Sequence, residues 1–142
     1  AASYTSAGAY FVTARIGRAH ARSWSIILMG GRAVEISKVP FGTTDWSVIE
    51  PTVHPGVTGS ATWRTREFNG IRVRMVEYSA GYLADHWCSK GHILLCLQGE
   101  LHTELADGRT FVLKPGMSYQ VADNAEAHRS RTADGVRLFI VD

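Results

Sequence analysis

Regular alternation of hydrophobic and polar residues in the middle of the chain predicts β-strands. Residues 61–68 (ATWRTREF) alternate and are rich in β-branched and aromatic side chains, as is typical of a strand. Residues 71–79 (IRVRMVEYS) alternate again. Their pattern predicts Arg72, Arg74 and Val76 on one face of the strand. The Asn-Gly pair between the two segments is the strongest short-range signal for a hairpin turn.

The second half of the chain continues this pattern in shorter segments, with turn residues between several of them. Residues 40–46 are predicted to form a turn and residues 48–61 a loop, because both segments contain proline and glycine. No stretch of ten residues has a convincing helical period. About eight short strands separated by turns predict an all-β fold, either a sandwich or a barrel. The later strands are predicted over residues 92–98, 100–105, 109–113, 117–122 and 136–142.

The length of the chain predicts a single domain, and its charge distribution separates the first 34 residues from the rest. Residues 1–34 contain four arginines and no acid, whereas residues 35–142 hold the other 11 basic residues and all 13 acidic ones. The second segment is therefore mildly acidic, which argues against a nucleic-acid partner. Three origins stay open for residues 1–34: a transit peptide, a secretory signal, or an upstream extension, non-native or peripheral. We favour the extension.

The cysteine content and the hydropathy of the chain indicate the cellular compartment in which the protein is expected. Two cysteines in 142 residues cannot form a disulfide framework, which favours a reducing, cytoplasmic location. Cys96 lies within an apolar strand and is expected to be an ordinary core residue. No apolar run approaches the roughly 20 residues that a membrane-spanning helix needs, so no membrane partner is expected.

Three side chains with metal-binding chemistry occur within the segment DHWCSKGH. His86 and Cys88 are two residues apart, so on a strand they would point to the same face. Ser-Lys-Gly then predicts a turn from which His92 can face back toward them. His128, which follows a loop in the second half, is the predicted fourth ligand. Cysteine thiolate and neutral imidazole are good metal ligands. The alternative is a chance cluster of core and surface residues.

The same residues resemble the cupin superfamily. The segment GYLADHWCSKGHILLCLQG is similar to the first cupin motif, with His86 at its first histidine. Cys88 then replaces the second histidine and His92 the glutamate. LKPGMSYQVADNAEAHR is similar to the second motif, with His128 near its end. Tyr119 is an alternative for that motif's polar residue. Residues 35–142 most resemble the small group described as DHCW-motif cupins.

This resemblance implies a double-stranded β-helix, or jelly-roll barrel, that holds one divalent metal inside and often forms homodimers. The Cys and His ligands favour zinc, then iron, with nickel or copper as further candidates. Three functions stay open: a metal-dependent enzyme, such as a dioxygenase or isomerase, on a small polar or anionic molecule; a ligand-sensing module; or a structural-zinc cupin. Asp85 is expected to orient a ligand histidine, and Tyr119, Arg74 and Glu77 are candidate pocket residues. For Arg74, a solvated face is the favoured alternative.

Overall fold

The computed structural model describes residues 39–142. The predicted N-terminal extension over residues 1–34, and its boundary with the cupin domain at residue 35, lie outside the described residues. Within residues 39–142 there are nine strands and one short 3-10 helix. No helix of this part of the chain is long and apolar enough to cross a membrane. The elements are the 3-10 helix Trp46–Val48, then β1 (Thr52–Pro55), β2 (Ser60–Phe68), β3 (Ile71–Tyr78), β4 (His92–Gly99), β5 (Leu101–Leu105), β6 (Thr110–Leu113), β7 (Ser118–Val121), β8 (His128–Arg131) and β9 (Val136–Val141).

The strands form two antiparallel sheets. One has six strands in the order β1-β2-β3-β9-β4-β7, and the other has three in the order β6-β5-β8. The predicted hairpin joins β2 to β3, with Phe68 opposite Ile71. Strands distant in sequence, such as β3 and β9, lie side by side, as in a jelly roll. The predicted all-β fold is confirmed.

The hydrophobic core lies between the two sheets and draws side chains from both. Its centre is the inner face of β3, β9 and β4, where Leu138 lies opposite Val76 on one side and Cys96 on the other. All three are completely buried. Cys96 is therefore the core residue that the sequence predicts, and both cysteines are free thiols. The buried core residues are Val76, Leu94, Cys96, Leu101, Leu113, Val136, Leu138 and Ile140.

Toward one end of the barrel the same inner face becomes polar. Side chains two residues apart on a strand share a face, so Arg74 continues the row of Val76, and His92 continues the row of Leu94. Arg74 is only 7% exposed. The expectation of a solvated face for this arginine is therefore wrong, because it assumed that charged residues of an alternating strand face water.

Two strands escaped the sequence prediction. The segment predicted as a loop contains β1, which pairs with β2 from Thr52 opposite Trp63 onward. Its proline is tolerated because β1 is the edge strand of its sheet. Strand β8 has the sequence HRSR and contains no apolar residue, so no hydrophobic period could reveal it.

Candidate metal centre

Backbone pairing brings Cys88 and His128 together. The Cys88 N–H donates to the His128 carbonyl oxygen at 2.8 Å, and the His128 N–H donates to the Cys88 carbonyl oxygen at 2.9 Å. This isolated antiparallel bridge aligns two residues that are 40 positions apart in the sequence. The predicted turn then leads to His92, the first residue of β4. A Cβ atom at Gly91 would lie 2.5 Å from the Asp123 backbone nitrogen, so only glycine fits this turn.

The three side chains converge on one point. The Cys88 sulfur and one ring nitrogen each of His92 and His128 all lie within 4.8 Å of one another. These three are among the four ligands that the sequence predicts. Their strands come from both sheets, since His92 lies on β4 and His128 on β8.

Hydrogen bonds to the backbone orient both imidazole rings. His92 Nδ1 lies 2.9 Å from the Lys90 carbonyl oxygen, and His128 Nδ1 lies 2.9 Å from the Glu126 carbonyl oxygen. A carbonyl only accepts, so in the neutral form of each ring Nδ1 carries the proton and Nε2 keeps its lone pair. His128 Nε2 is buried and has no hydrogen-bond partner. A buried acceptor without a partner is costly, and a metal ion would satisfy it.

The ionisation of Cys88 and His92 suits metal binding. The neighbouring His128 ring lowers the pKa of Cys88 against the opposing effect of burial, and Cys88 in turn raises the pKa of His128. Burial and the charge of His128 lower the pKa of His92 to about 4. His92 is therefore neutral at physiological pH, and the thiol is more easily ionised than an ordinary cysteine. Neutral imidazole and thiolate are the forms that bind metal.

The lowered pKa of His92 predicts acid sensitivity of the metal-free protein. The unfolded chain protonates this histidine near its ordinary pKa of 6.5, whereas the folded protein does so only near pH 4. Between these values the unfolded state binds more protons, so stability falls as the pH is lowered. We expect His92→Gln to reduce the slope of unfolding free energy against pH in this window. Urea unfolding at several pH values measures the slope, and equal slopes for both proteins would contradict the assignment.

His86, the remaining predicted ligand, is not part of the cluster of three. A bend at Asp85 and His86 replaces the straight strand on which the two-residue spacing relied. The His86 side chain is 70% exposed, and its Nδ1 lies 2.6 Å from Asp85 Oδ1. Asp85 thus contacts one of the histidines that the sequence predicts as ligands. His86 still lines the same cavity as the other three, so its role as fourth ligand stays a prediction.

A cavity of about 100 Å³ lies beside the cluster. The sequence candidates Tyr119 and Arg74 line it. The Tyr119 hydroxyl lies 2.8 Å from His92 Nε2 and donates to its lone pair, a hydrogen bond that metal coordination at this nitrogen would replace. Burial raises the pKa of Tyr119, so the phenol stays protonated. The residues that line the cavity are Trp63, Arg74, Tyr78, Tyr82, Ala84, His86, Cys88, His92, Leu94, Tyr119, His128, Arg129, Ser130 and Ile140.

Glu77 does not line this cavity but a separate one beside Gln98 and Arg137, so its role as a pocket residue stays a prediction that does not concern the cluster. It is exposed and lies 3.5 Å from Arg64 and 3.7 Å from Arg137 in ion pairs. Glu77 is one position out of phase with Val76 and Tyr78, so the pleat of β3 directs it to the outer face.

A second, larger and mostly apolar cavity lies on the other side of Tyr119 and His128. It measures about 310 Å³ and runs between β5, β6 and β7, with Leu105, Phe111 and Val112 among its lining residues. Tyr119 and His128 line both cavities. These two side chains therefore form a wall that the two cavities share.

Sequence reasoning missed Tyr82 and Asp142. Tyr82 is 7% exposed and stacks on Tyr78 with ring centroids 4.1 Å apart. Asp142 accepts hydrogen bonds from Arg72 and Arg74. The signal for Asp142 was present, since it continues the two-residue phase of the core residues on β9. Tyr82 lies outside any strand, so alternation carried no signal for it.

One thiolate and two imidazoles form a donor set that fits a borderline-soft divalent metal. Such an ion would polarise a bound oxygen as a Lewis acid. Side chains of the protein itself would supply the other interactions with the bound molecule. Tyr119 places a hydroxyl donor at the cluster, and Arg74 places a fixed positive charge in the adjoining cavity wall.

Comparison with known proteins adds support at the level of the fold. No protein-family model matches the chain, and no curated protein matches it in sequence. Among solved structures, it is similar to a predicted oxalate decarboxylase from Thermotoga maritima, with a TM-score of 0.60 and 16% identity over 70% of this chain and 96% of that one. Ectoine synthase from P. lautus has a TM-score of 0.59 and 20% identity, over 71% and 76% of the two chains.

A third similar structure is an RmlC-like cupin from Shewanella frigidimarina, with a TM-score of 0.56 and 17% identity over 73% of this chain and 91% of that one. At these identities the likeness concerns the fold alone. Assignment to the DHCW-motif group stays a prediction.

Proposed function

We propose that this chain, which has the cupin fold, binds one divalent metal ion through Cys88, His92 and His128 and uses it to hold a small polar or anionic molecule. The observation that carries the proposal is the convergence of three ligand atoms within 4.8 Å. The buried, unpartnered His128 Nε2 supports it further. The fold itself hosts many functions, so the proposal depends on the site and not on the architecture.

Zinc is the proposed metal. Zinc binds cysteine and histidine in tetrahedral sites, and catalytic zinc sites typically have three protein ligands and one open position. Iron follows, and copper or nickel would also accept these ligands. An open position facing the cavity would let a small molecule reach the metal, as in a metal-dependent dioxygenase or isomerase.

Whether His86 binds the metal distinguishes an open site of three protein ligands from a closed site of four. Four protein ligands would make a structural zinc site. The hydrogen bond between the His86 ring and Asp85, and the exposure of that ring, favour the open site of three ligands. On this proposal His86→Ala retains the metal, and loss of the metal from that variant would instead indicate a four-ligand centre.

The proposal extends to a cytoplasmic homodimer. Cupin-like barrels often pair through edge strands, and β1 is an edge of the six-stranded sheet. Sedimentation equilibrium of the purified protein tests this part independently of the metal.

Metal content of matched cysteine variants is the decisive test. We expect about one metal ion per chain in the wild-type protein and almost none in Cys88→Ser. Cys96→Ser is the control, because this thiol is buried in the core beside the carbonyl oxygens of Gln98 and Gly99, where a hydroxyl also finds an acceptor. Elemental analysis gives the metal content, and cobalt substitution should show a thiolate charge-transfer band that Cys88→Ser lacks.

Wild-type protein that stays metal-free after reconstitution with zinc, iron, nickel and copper would overturn the proposal. So would equal metal content in the Cys88 and Cys96 variants, since the metal would then not depend on the cluster.

A further inference from the structure

We propose that Arg74 makes the cavity beside the metal centre a carboxylate-binding site, so that the molecule held there is a small carboxylate. This inference rests on the proposed function for the metal, but its carboxylate subsite is built by other residues. Arg74 lines the cavity together with His92, and its side chain is only 9% exposed. A buried guanidinium needs compensating anions.

The compensation inside the protein is incomplete. Arg74 Nη2 lies 3.0 Å from Asp142 Oδ2. The same carboxylate also accepts from Arg72, through Nε at 3.0 Å and through Nη2. Two guanidinium groups therefore share one side-chain carboxylate. Arg72 is partly exposed and lies opposite Glu67 on β2, whereas the buried Arg74 has only a share of the Asp142 carboxylate.

The guanidinium of Arg74 also has unused hydrogen-bonding capacity. Its Nε is buried and has no hydrogen-bond partner, and its charge lies 4.6 Å from the centre of the Trp63 ring. The ring stabilises the cation but accepts no conventional hydrogen bond. Arginine presents a planar fork of donors that matches a carboxylate.

The remaining cavity wall is positive as well. Arg129 lines it, and its buried Nε likewise has no partner, although its Nη2 lies 3.2 Å from Glu104. Among the lining residues in the described part of the chain there is no aspartate or glutamate. A cavity with two guanidinium groups and no carboxylate favours an anion.

The volume of the cavity limits the size of the anion that can bind there. A volume of about 100 Å³ is larger than a water molecule needs, but it holds only a small molecule of a few non-hydrogen atoms. A monoanion would complete the compensation of the Arg74 guanidinium. A carboxylate on Arg74, with a second oxygen toward Cys88, His92 and His128, would occupy both ends of this cavity.

Glycolate and its neutral analogue glycolamide are suitable probes, because they have nearly the same size and shape and differ only in the replacement of the carboxylate by an uncharged amide. Isothermal titration of the metal-loaded protein is expected to show binding of glycolate and little binding of glycolamide. Arg74→Gln should weaken glycolate binding about tenfold or more, as expected for loss of a charge-assisted hydrogen bond, while the metal is retained. Arg72→Gln is the matched control, because Arg72 binds the same Asp142 but does not line the cavity.

Several results would overturn the inference: equal affinity for glycolate and glycolamide, an unchanged glycolate affinity in Arg74→Gln, or tighter binding of inorganic phosphate than of glycolate. If Arg74→Gln does not fold, the wild-type comparison of the two probes decides. Arg74→Lys, which keeps the charge without the fork of donors, should then bind glycolate more weakly than the wild type.

Metal analysis of the same samples separates this inference from the proposed function. A metal-containing protein without selective glycolate binding refutes the carboxylate site and leaves the metal centre intact. A protein that never binds metal but binds glycolate through Arg74 refutes the metal centre and supports the carboxylate site.

Discussion

Replacing His128 by alanine is expected to lower the metal affinity of the protein at least about 100-fold. Loss of a residue that merely supports a ligand already costs about 10- to 100-fold, and His128 would be a ligand itself. Its Nδ1–H donates to the Glu126 carbonyl and its Nε2 faces the cluster without a partner. Competition titration with a chromophoric chelator measures the affinity of both proteins.

The matched control for this variant is His102→Ala. His102 lies on the same three-stranded sheet, on β5, and its ring is bonded to Glu100 at 2.8 Å. It does not line the cavity at the cluster. We expect its variant to bind metal as the wild type does. A similar loss of affinity in both variants would indicate a general effect on the fold and would contradict the role of His128.

Replacing Leu138 by alanine is expected to destabilise the protein by about 2–5 kcal/mol. Leu138 is completely buried and lies between Val76 and Cys96 at the centre of the six-stranded sheet. The smaller side chain loses the transfer free energy of the removed groups and leaves a cavity that close packing prevents from collapsing fully. Chemical denaturation of the metal-free proteins measures the difference.

Val53→Ala serves as the control for the core substitution. Val53 lies on the edge strand β1 and is 67% exposed, so its truncation should change stability by less than about 0.5 kcal/mol. Comparable losses in the two variants would mean that the core does not lie where the two sheets meet.

Much of the fold was predictable because β-strands that cover a core alternate in hydrophobicity. The hairpin between β2 and β3 follows from the Asn-Gly turn and the alternation on either side of it. The buried Leu94 and Cys96 follow from the apolar run in β4. Strand β8 did not follow, because its residues alternate between polar side chains of different burial.

The candidate site was predictable in part. Spacing and resemblance pointed to Cys88, His92 and His128, and the structure brings these three together. The same reasoning placed His86 on a strand beside Cys88, but the chain bends there and the histidine is exposed. Local spacing predicts side-chain direction only where the backbone is extended, and sequence alone did not show that this segment bends.

The sequence by itself determined most of the segments that form strands, where most turns lie, and which residue types are available as metal ligands. Only the tertiary structure decided which face of β3 is inner. Its register with β9 brings Arg74 opposite Ile140 and places the arginine beside Asp142. Alternation divides a strand into two faces but does not say which one the second sheet will cover. That depends on strands far away in sequence, such as β5 and β8, and so does the pairing of Cys88 with His128.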